Sequence, residues 1–218
     1  MTAFEIARAH MIDSQLRPNK VTDDRVLAAI DSVPRELFVT ERLQSVAYID
    51  DDLPLGGGRY LMEPMVAARL LQAASVERSD IALVVGAGAG YEAAVLAHLA
   101  LAVVALEENP ELARRMREVL VDLGIAAVSV VEGPLAAGHR SRAPYDVILC
   151  GGAVAGVPKD IVAQLAEGGR LVAVVKPTGG VGRAILTTRT GGVIARRVMF
   201  DAATPLLPGL QPKPAFVF

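Results

Sequence analysis

At 218 residues the chain has room for one large domain, or one domain with an appendage, and for a sizeable core. It is 52% hydrophobic with 20 glycines and no tryptophan, which excludes a disordered chain and suits a parallel sheet covered by helices. With 22 basic against 24 acidic residues the net charge is −2, so no global attraction draws it to nucleic acid or to an anionic membrane.

The N-terminus, MTAFEIARAHMIDSQ, carries scattered charges and no long apolar run, so it does not read as a secretory signal. Phe4, Ala7, Met11 and Ile12 recur at helical spacing and predict a first helix with one buried face, ended by Arg17-Pro18. Thr22 before Asp23 and Asp24 predicts an N-cap for a second helix, which buries Val26, Leu27 and Ile30 and stops at Pro34. Residues 33–56 read as a long connection with few polar breaks, and such connections are often functional. Asp50, Asp51 and Asp52 within it read as a solvated turn rather than a metal site. Pro64 opens a third helix with Met65, Ala68 and Leu71 on one side.

Residues 81–108 organise the chain. The apolar run Ile81 to Val85 meets Gly86, Gly88 and Gly90, then an Ala-rich helical segment, then a second apolar run, Leu101 to Leu106, closed by Glu107 and Glu108. This is a βαβ unit with a tight glycine turn and an acid at the tip of its second strand. Asn109-Pro110-Glu111 starts the next helix and Gly124 stops it. Strands are predicted over 126–131, 145–150 and 170–175, with a helix over 158–167 closed by Gly168-Gly169. Arg183 to Thr188 and Val193 to Phe200, joined through Thr190-Gly191-Gly192, read as a β-hairpin. The closing Ala-Phe-Val-Phe reads as a last packed segment. The predicted fold class is α/β, a doubly wound, mostly parallel Rossmann-like sheet with N-terminal helices and a C-terminal antiparallel hairpin.

Cys150 is the one cysteine, which excludes an internal disulfide and fits a reducing compartment. The longest apolar stretch, 93–106, is interrupted by His98 and falls short of the ~18 residues of a membrane span. A cytoplasmic protein is expected, with no membrane or nucleic-acid partner. His10, His98 and His139 match no zinc spacing, and no metal is assigned.

Glycine lets a turn adopt positive φ and lets a ligand approach without a Cβ in the way. Dinucleotide sites space their glycines G-x-G-x-x-G, which would put the third glycine at Tyr91; here it comes one position early, and a nicotinamide oxidoreductase is disfavoured. G-x-G-x-G with an acid after the next strand resembles the signature of class I S-adenosylmethionine (AdoMet) methyltransferases.

Over nearly its whole length the chain resembles the protein-L-isoaspartate O-methyltransferase family. The resemblance is carried by Val33-Pro-Arg-Glu-Leu-Phe-Val39, Ala47-Tyr48-Ile49-Asp50, Gly86-Ala-Gly-Ala-Gly-Tyr91, Glu107, Pro144-Tyr-Asp-Val-Ile148 and Gln164-Leu-Ala-Glu-Gly-Gly169. It implies an AdoMet-dependent carboxyl methyltransferase, with S-adenosylhomocysteine as product and a peptide or protein carboxylate as substrate. Residues 1–78 would form a helical and substrate-loop region packed on an AdoMet-binding core, 79–218. Gly86, Gly88, Gly90, Tyr91, Glu107, Gly133, Pro134 and Leu135 would surround the cofactor, and Arg59, Tyr60, Met62 and Glu63 would face the substrate. Three positions depart from the family pattern. Met62 stands where a serine is expected, Val84 where an acid precedes the glycines, and Gly133-Pro134-Leu135 where the family has Gly-Asp-Gly. These departures keep a second reading open, a catalytically degenerate member acting as a binding or interaction module. No oligomeric state is read from the sequence.

Overall fold

The computed structural model describes residues 2–210. A seven-stranded sheet carries, from edge to edge, strands over 128–132, 102–107, 81–85, 145–154, 165–175, 183–190 and 193–201. Strands β3 (Ile81–Val85), β4 (Ala102–Glu107), β5 (Val128–Glu132), β6 (Tyr145–Val154) and β7 (Leu165–Val175) are parallel; β8 (Arg183–Thr190) and β9 (Val193–Asp201) form the antiparallel edge. The predicted α/β class and C-terminal hairpin are therefore as observed. β3 and β4 are apolar runs because helices cover both faces of a parallel sheet, and Leu83, Val84, Val104 and Ala105 are all buried.

The helices follow local signals. In α5 (Pro110–Asp122), Asn109 Oδ1 accepts from the N–H groups of Glu111 and Leu112, Pro110 takes the first turn, and Leu112, Ala113, Met116 and Leu120 are buried. Gly124, at φ +64°, follows the C-cap. Helix α1 (Ala3–Met11) has a Thr2/Glu5 capping box and runs on as a π turn, Ile12–Leu16, before Pro18. Helices α2 (Asp24–Ser32), α3 (Pro64–Ala74) and α4 (Tyr91–Ala97) bury their apolar faces in one core cluster with the β3, β4 and β6 side chains.

Four local expectations are corrected. The cap of α2 is Asp23, whose carboxylate accepts from Arg25 N–H, rather than Thr22. The third parallel strand begins at Val128, with Ala126 and Ala127 in the turn before it. The helix expected over 158–167 is the single turn α6 (Lys159–Val162), because Leu165 is already paired with Tyr145 in the sheet. Strand β6 does not stop at Cys150; it runs on through a register shift between Leu149 and Ala153 to Val154. The long connection also holds an unexpected small hairpin, β1 (Leu53–Gly56) and β2 (Arg59–Leu61), turned by Gly56, Gly57 and Gly58 at φ +96°, +58° and +73°. The expected packing of the last four residues lies outside the described residues.

The consequence for function is positional. The glycine turn after β3, the tip of β4, the loop after β5 and the bulge of β6 meet at the carboxyl edge of the sheet, where the strand order reverses. Open α/β sheets bind ligands in that crevice.

Candidate active site

Gly86, Gly88 and Gly90 turn the chain from β3 into α4 at φ +74°, +57° and +99°. The N–H groups of Gly86 and Ala87 both donate to Leu106 O, at 2.9 and 3.0 Å, which fastens the turn to the end of β4. Glu107 ends β4 fully buried. Its Oε2 accepts from Gly88 N–H at 2.8 Å, and its Oε1 accepts from the N–H groups of Glu108 and Asn109, both at 2.9 Å. Gly133 N–H donates to the backbone oxygen of the same glutamate. Leu135 is buried against the turn, its Cδ1 3.4 Å from where a Gly86 Cβ would lie, and Pro134 precedes it as the cap of a 3₁₀ turn.

Arg59, expected to face a substrate, is buried against Glu107. It is 4% exposed, and its Nε and Nη2 donate to Glu107 Oε1 at 3.1 and 3.0 Å. Its Nη1 donates to Pro208 O, 149 residues on, at 3.1 Å. Pro208 belongs to a segment, 202–210, that lies along the crevice. Leu207 N–H donates to Ala153 O at 2.7 Å, Ala153 N–H donates to Pro205 O at 2.9 Å, and Leu206 bridges Ala153 in parallel. The Leu207 side chain sits over Gly86 and Gly152 together: its Cδ2 lies 2.9 Å from a Gly86 Cβ position and 2.8 Å from that of Gly152. Leu55 Cδ1 lies 3.0 Å from the Gly88 Cβ position. Between Tyr60, Met62, Gly151, Gly152 and Leu207 lies a void of about 10 Å³, enough for at most one water.

The other expected substrate residues divide. Tyr60 is 39% exposed; Met62 is 1% exposed and belongs to the apolar core. Glu63 is half-buried, its N–H held by Asp52 Oδ1 at 2.9 Å. Burial, then the neighbouring charges of Asp52, Asp50 and Asp51, push the Glu63 carboxyl up to about 7, so it is partly protonated at neutral pH. Burial likewise raises Asp52. Tyr91 turns away from the crevice, edge-on to Phe38 and beneath Arg35, and burial pushes its hydroxyl up to about 12.

The sequence reading missed Arg35, Gly151 and Leu207. Arg35 is fully buried and donates from Nε to Ala47 O at 2.8 Å and from Nη2 to Met62 O at 2.6 Å. A Cβ on Gly151 would run into Gly86 O, so the glycine turn packs on β6 only because position 151 has none. Cys150-Gly151-Gly152 at a strand end was the available signal. Nothing local marks Leu207.

The model for protein-L-isoaspartate(D-aspartate) O-methyltransferases matches residues 7–199. The chain belongs to that family. A protein-L-isoaspartate O-methyltransferase of Koribacter versatilis is 44% identical over 172 residues, covering 79% of this chain and 78% of the relative. One from Methanoculleus marisnigri is 41% identical over 170 residues, covering 78% and 77%. A solved protein-L-isoaspartate O-methyltransferase superposes with a TM-score of 0.82 at 25% identity, over 94% of this chain and 67% of that one. A Plasmodium falciparum structure, solved with S-adenosyl-L-homocysteine, shares the fold with a TM-score of 0.79 at 19% identity, over 96% of this chain and all of the other.

The residue types at the crevice fit AdoMet. Three positive-φ glycines make a cradle that a Cβ would fill, and a carboxylate at the tip of β4 can accept from ribose hydroxyls. In the conformation observed, Leu207, Leu55 and Arg59 hold that space. Among the described residues no group of three His, Cys, Asp or Glu side chains could hold a metal ion, and no helix is long and apolar enough to cross a membrane.

Proposed function

We propose that this protein is an AdoMet-dependent carboxyl O-methyltransferase acting on isoaspartyl carboxylates in damaged proteins. The observation that carries the reading is the family match over residues 7–199, in which the glycine turn and Glu107 occupy the crevice edge. AdoMet, when bound, supplies an electrophilic methyl group on a sulfonium. An isoaspartyl carboxylate is already ionised at pH 7, so its oxygen can accept that methyl with no proton to remove. The protein therefore needs no general base and contributes alignment and exclusion of water. Met62 in the place of a family serine is compatible with this chemistry, because a hydroxyl there would position rather than deprotonate.

Gly86, Gly88 and Gly90 are the proposed cradle for the cofactor, with Glu107 as acceptor for its ribose and the loop Gly133-Pro134-Leu135 along its adenine edge. On the substrate side Tyr60 and Glu63 are proposed to meet the peptide. Protonated Glu63 can donate to an incoming carboxylate, whereas ionised Glu63 repels it. Arg59 and Met62 act behind this surface.

The test is methyl transfer to a peptide carrying one isoaspartyl residue, against the same peptide with ordinary aspartate, scored as base-labile methyl ester. Ester on the isoaspartyl peptide alone is expected. No ester on either peptide would refute the reading, and equal ester on both would remove the isoaspartyl assignment.

A further inference from the structure

The crevice is closed by the chain's own groups. Glu107 Oε1 accepts from two Arg59 nitrogens and from the Glu108 and Asn109 amides, and Oε2 from Gly88. Arg59 in turn is capped by Pro208 O. Leu207, 3% exposed, fills the hollow between Gly86 and Gly152. Neither the carboxylate nor the glycine hollow can serve a nucleoside-sized ligand until both of these partners withdraw. We propose that Arg59 and the 202–210 segment form a latch that holds the cofactor crevice shut in the free protein, and that AdoMet binds only the form in which the latch has opened. The inference rests on the reading of this crevice as the AdoMet site.

The two parts of the latch are mechanically joined. Hairpin β1–β2 delivers Arg59 from one side of the crevice, the 202–210 segment delivers Leu207 from the other, and the Arg59–Pro208 bond ties them. A Cβ on Gly58 would lie 2.9 Å from Pro208 Cγ, so hairpin turn and segment are also in contact. Lifting the segment breaks the two hydrogen bonds to Ala153 and the bond from Arg59 to Pro208 O, which leaves Arg59 held by Glu107 alone. Opening of the two parts is thus coupled through the Arg59–Pro208 bond. The apparent affinity of a ligand that selects the open form is its intrinsic affinity reduced by the open fraction. Weakening the latch must therefore tighten binding, which is the opposite of what removing a ligand-contacting residue does.

The experiment is calorimetric titration of wild-type protein, Arg59→Ala and Leu207→Ala with S-adenosylhomocysteine. Thermal unfolding confirms that each variant is folded. In Arg59→Ala the Glu107 carboxylate keeps its three backbone donors, and Leu207→Ala leaves every hydrogen bond intact, so at least one folded variant is expected. The latch predicts at least tenfold tighter binding in the folded variants. It also predicts that S-adenosylhomocysteine speeds hydrogen exchange of the Leu207 amide in wild type, although a ligand ordinarily slows exchange where it binds. Affinity equal to or weaker than wild type in folded variants would overturn the latch and leave the cofactor reading standing. No binding by wild type or either variant at millimolar ligand would overturn both.

Discussion

The Arg35 guanidinium lies 4.9 Å from the ring centre of Tyr91, and both side chains are buried beneath the glycine turn. Tyr91 is the first residue of α4, directly after Gly90, while Arg35 holds Ala47 O and Met62 O. One side chain thus joins the cofactor turn to the stretch proposed to meet substrate. A delocalised cation on an aromatic face, with two fixed donors, suits arginine and not lysine.

Arg35→Ala is therefore expected to cost about 3–5 kcal/mol, because it leaves two buried carbonyls unpaired and a cavity beside Tyr91. Arg35→Lys should recover little of this. Urea unfolding measures the cost, and hydrogen exchange should quicken at residues 60–63 in either variant. A loss below 1 kcal/mol for Arg35→Ala would show that the clasp is unimportant.

Glu92 gives a pH dependence of stability. It is fully buried, its Oε1 has no hydrogen-bond partner, and burial raises its carboxyl from the ordinary 4.5 to about 7. Such a group binds its proton more tightly when folded, so its contribution is complete below about pH 4.5 and is lost as pH rises through about 7. The loss is roughly 3 kcal/mol at the most. Glu92→Gln should match wild type near pH 4.5 and be the more stable protein at pH 8. Parallel unfolding curves for the two proteins at both pH values would contradict this.

Glu63 carries the corresponding prediction for activity. With its carboxyl near 7, KM for an isoaspartyl peptide should rise as pH passes upward through neutrality, since ionised Glu63 repels the substrate carboxylate. Glu63→Gln should flatten that rise while changing kcat little. A wild-type KM that is level between pH 6 and 8 would remove Glu63 from the substrate side.

Two glycines differ in what they tolerate. Gly151→Ala drives a Cβ into Gly86 O and must shift the glycine turn, so it should cost about 1–3 kcal/mol and weaken S-adenosylhomocysteine binding as well. Gly124→Ala meets nothing within 4 Å and bears only the strain of φ +64°, about 1–2 kcal/mol, with binding unchanged. Equal effects on binding would show that the turn does not depend on its contact with β6.

The sheet and the glycine turn were legible because their signals are local. The apolar runs at 81–85 and 101–106, the Asn109-Pro110 start and the glycine spacing each lie within a few residues of what they determine. The extent of α6 was not legible, because Leu165 is taken into the sheet by Tyr145, a pairing invisible in the local punctuation of Pro158 and Gly168-Gly169. The hairpin turned by Gly56-Gly57-Gly58 went unread, because its strands are too short for a period-two pattern. The Arg59–Glu107 pair spans 48 residues and the Arg59–Pro208 bond 149, and no spacing rule connects side chains that far apart. Only the family resemblance puts Arg59 among the substrate contacts, and its bond to Glu107 emerges from the packing of the hairpin on the sheet.

The central claim, that the glycine turn and Glu107 form a cofactor site, is tested most directly by hydrogen exchange with and without saturating S-adenosylhomocysteine, with NAD as the control ligand. Slowed exchange is expected at residues 86–91, 107–109 and 133–135 alone with S-adenosylhomocysteine, and no change with NAD. Protection elsewhere, or protection by NAD at the same residues, would contradict it.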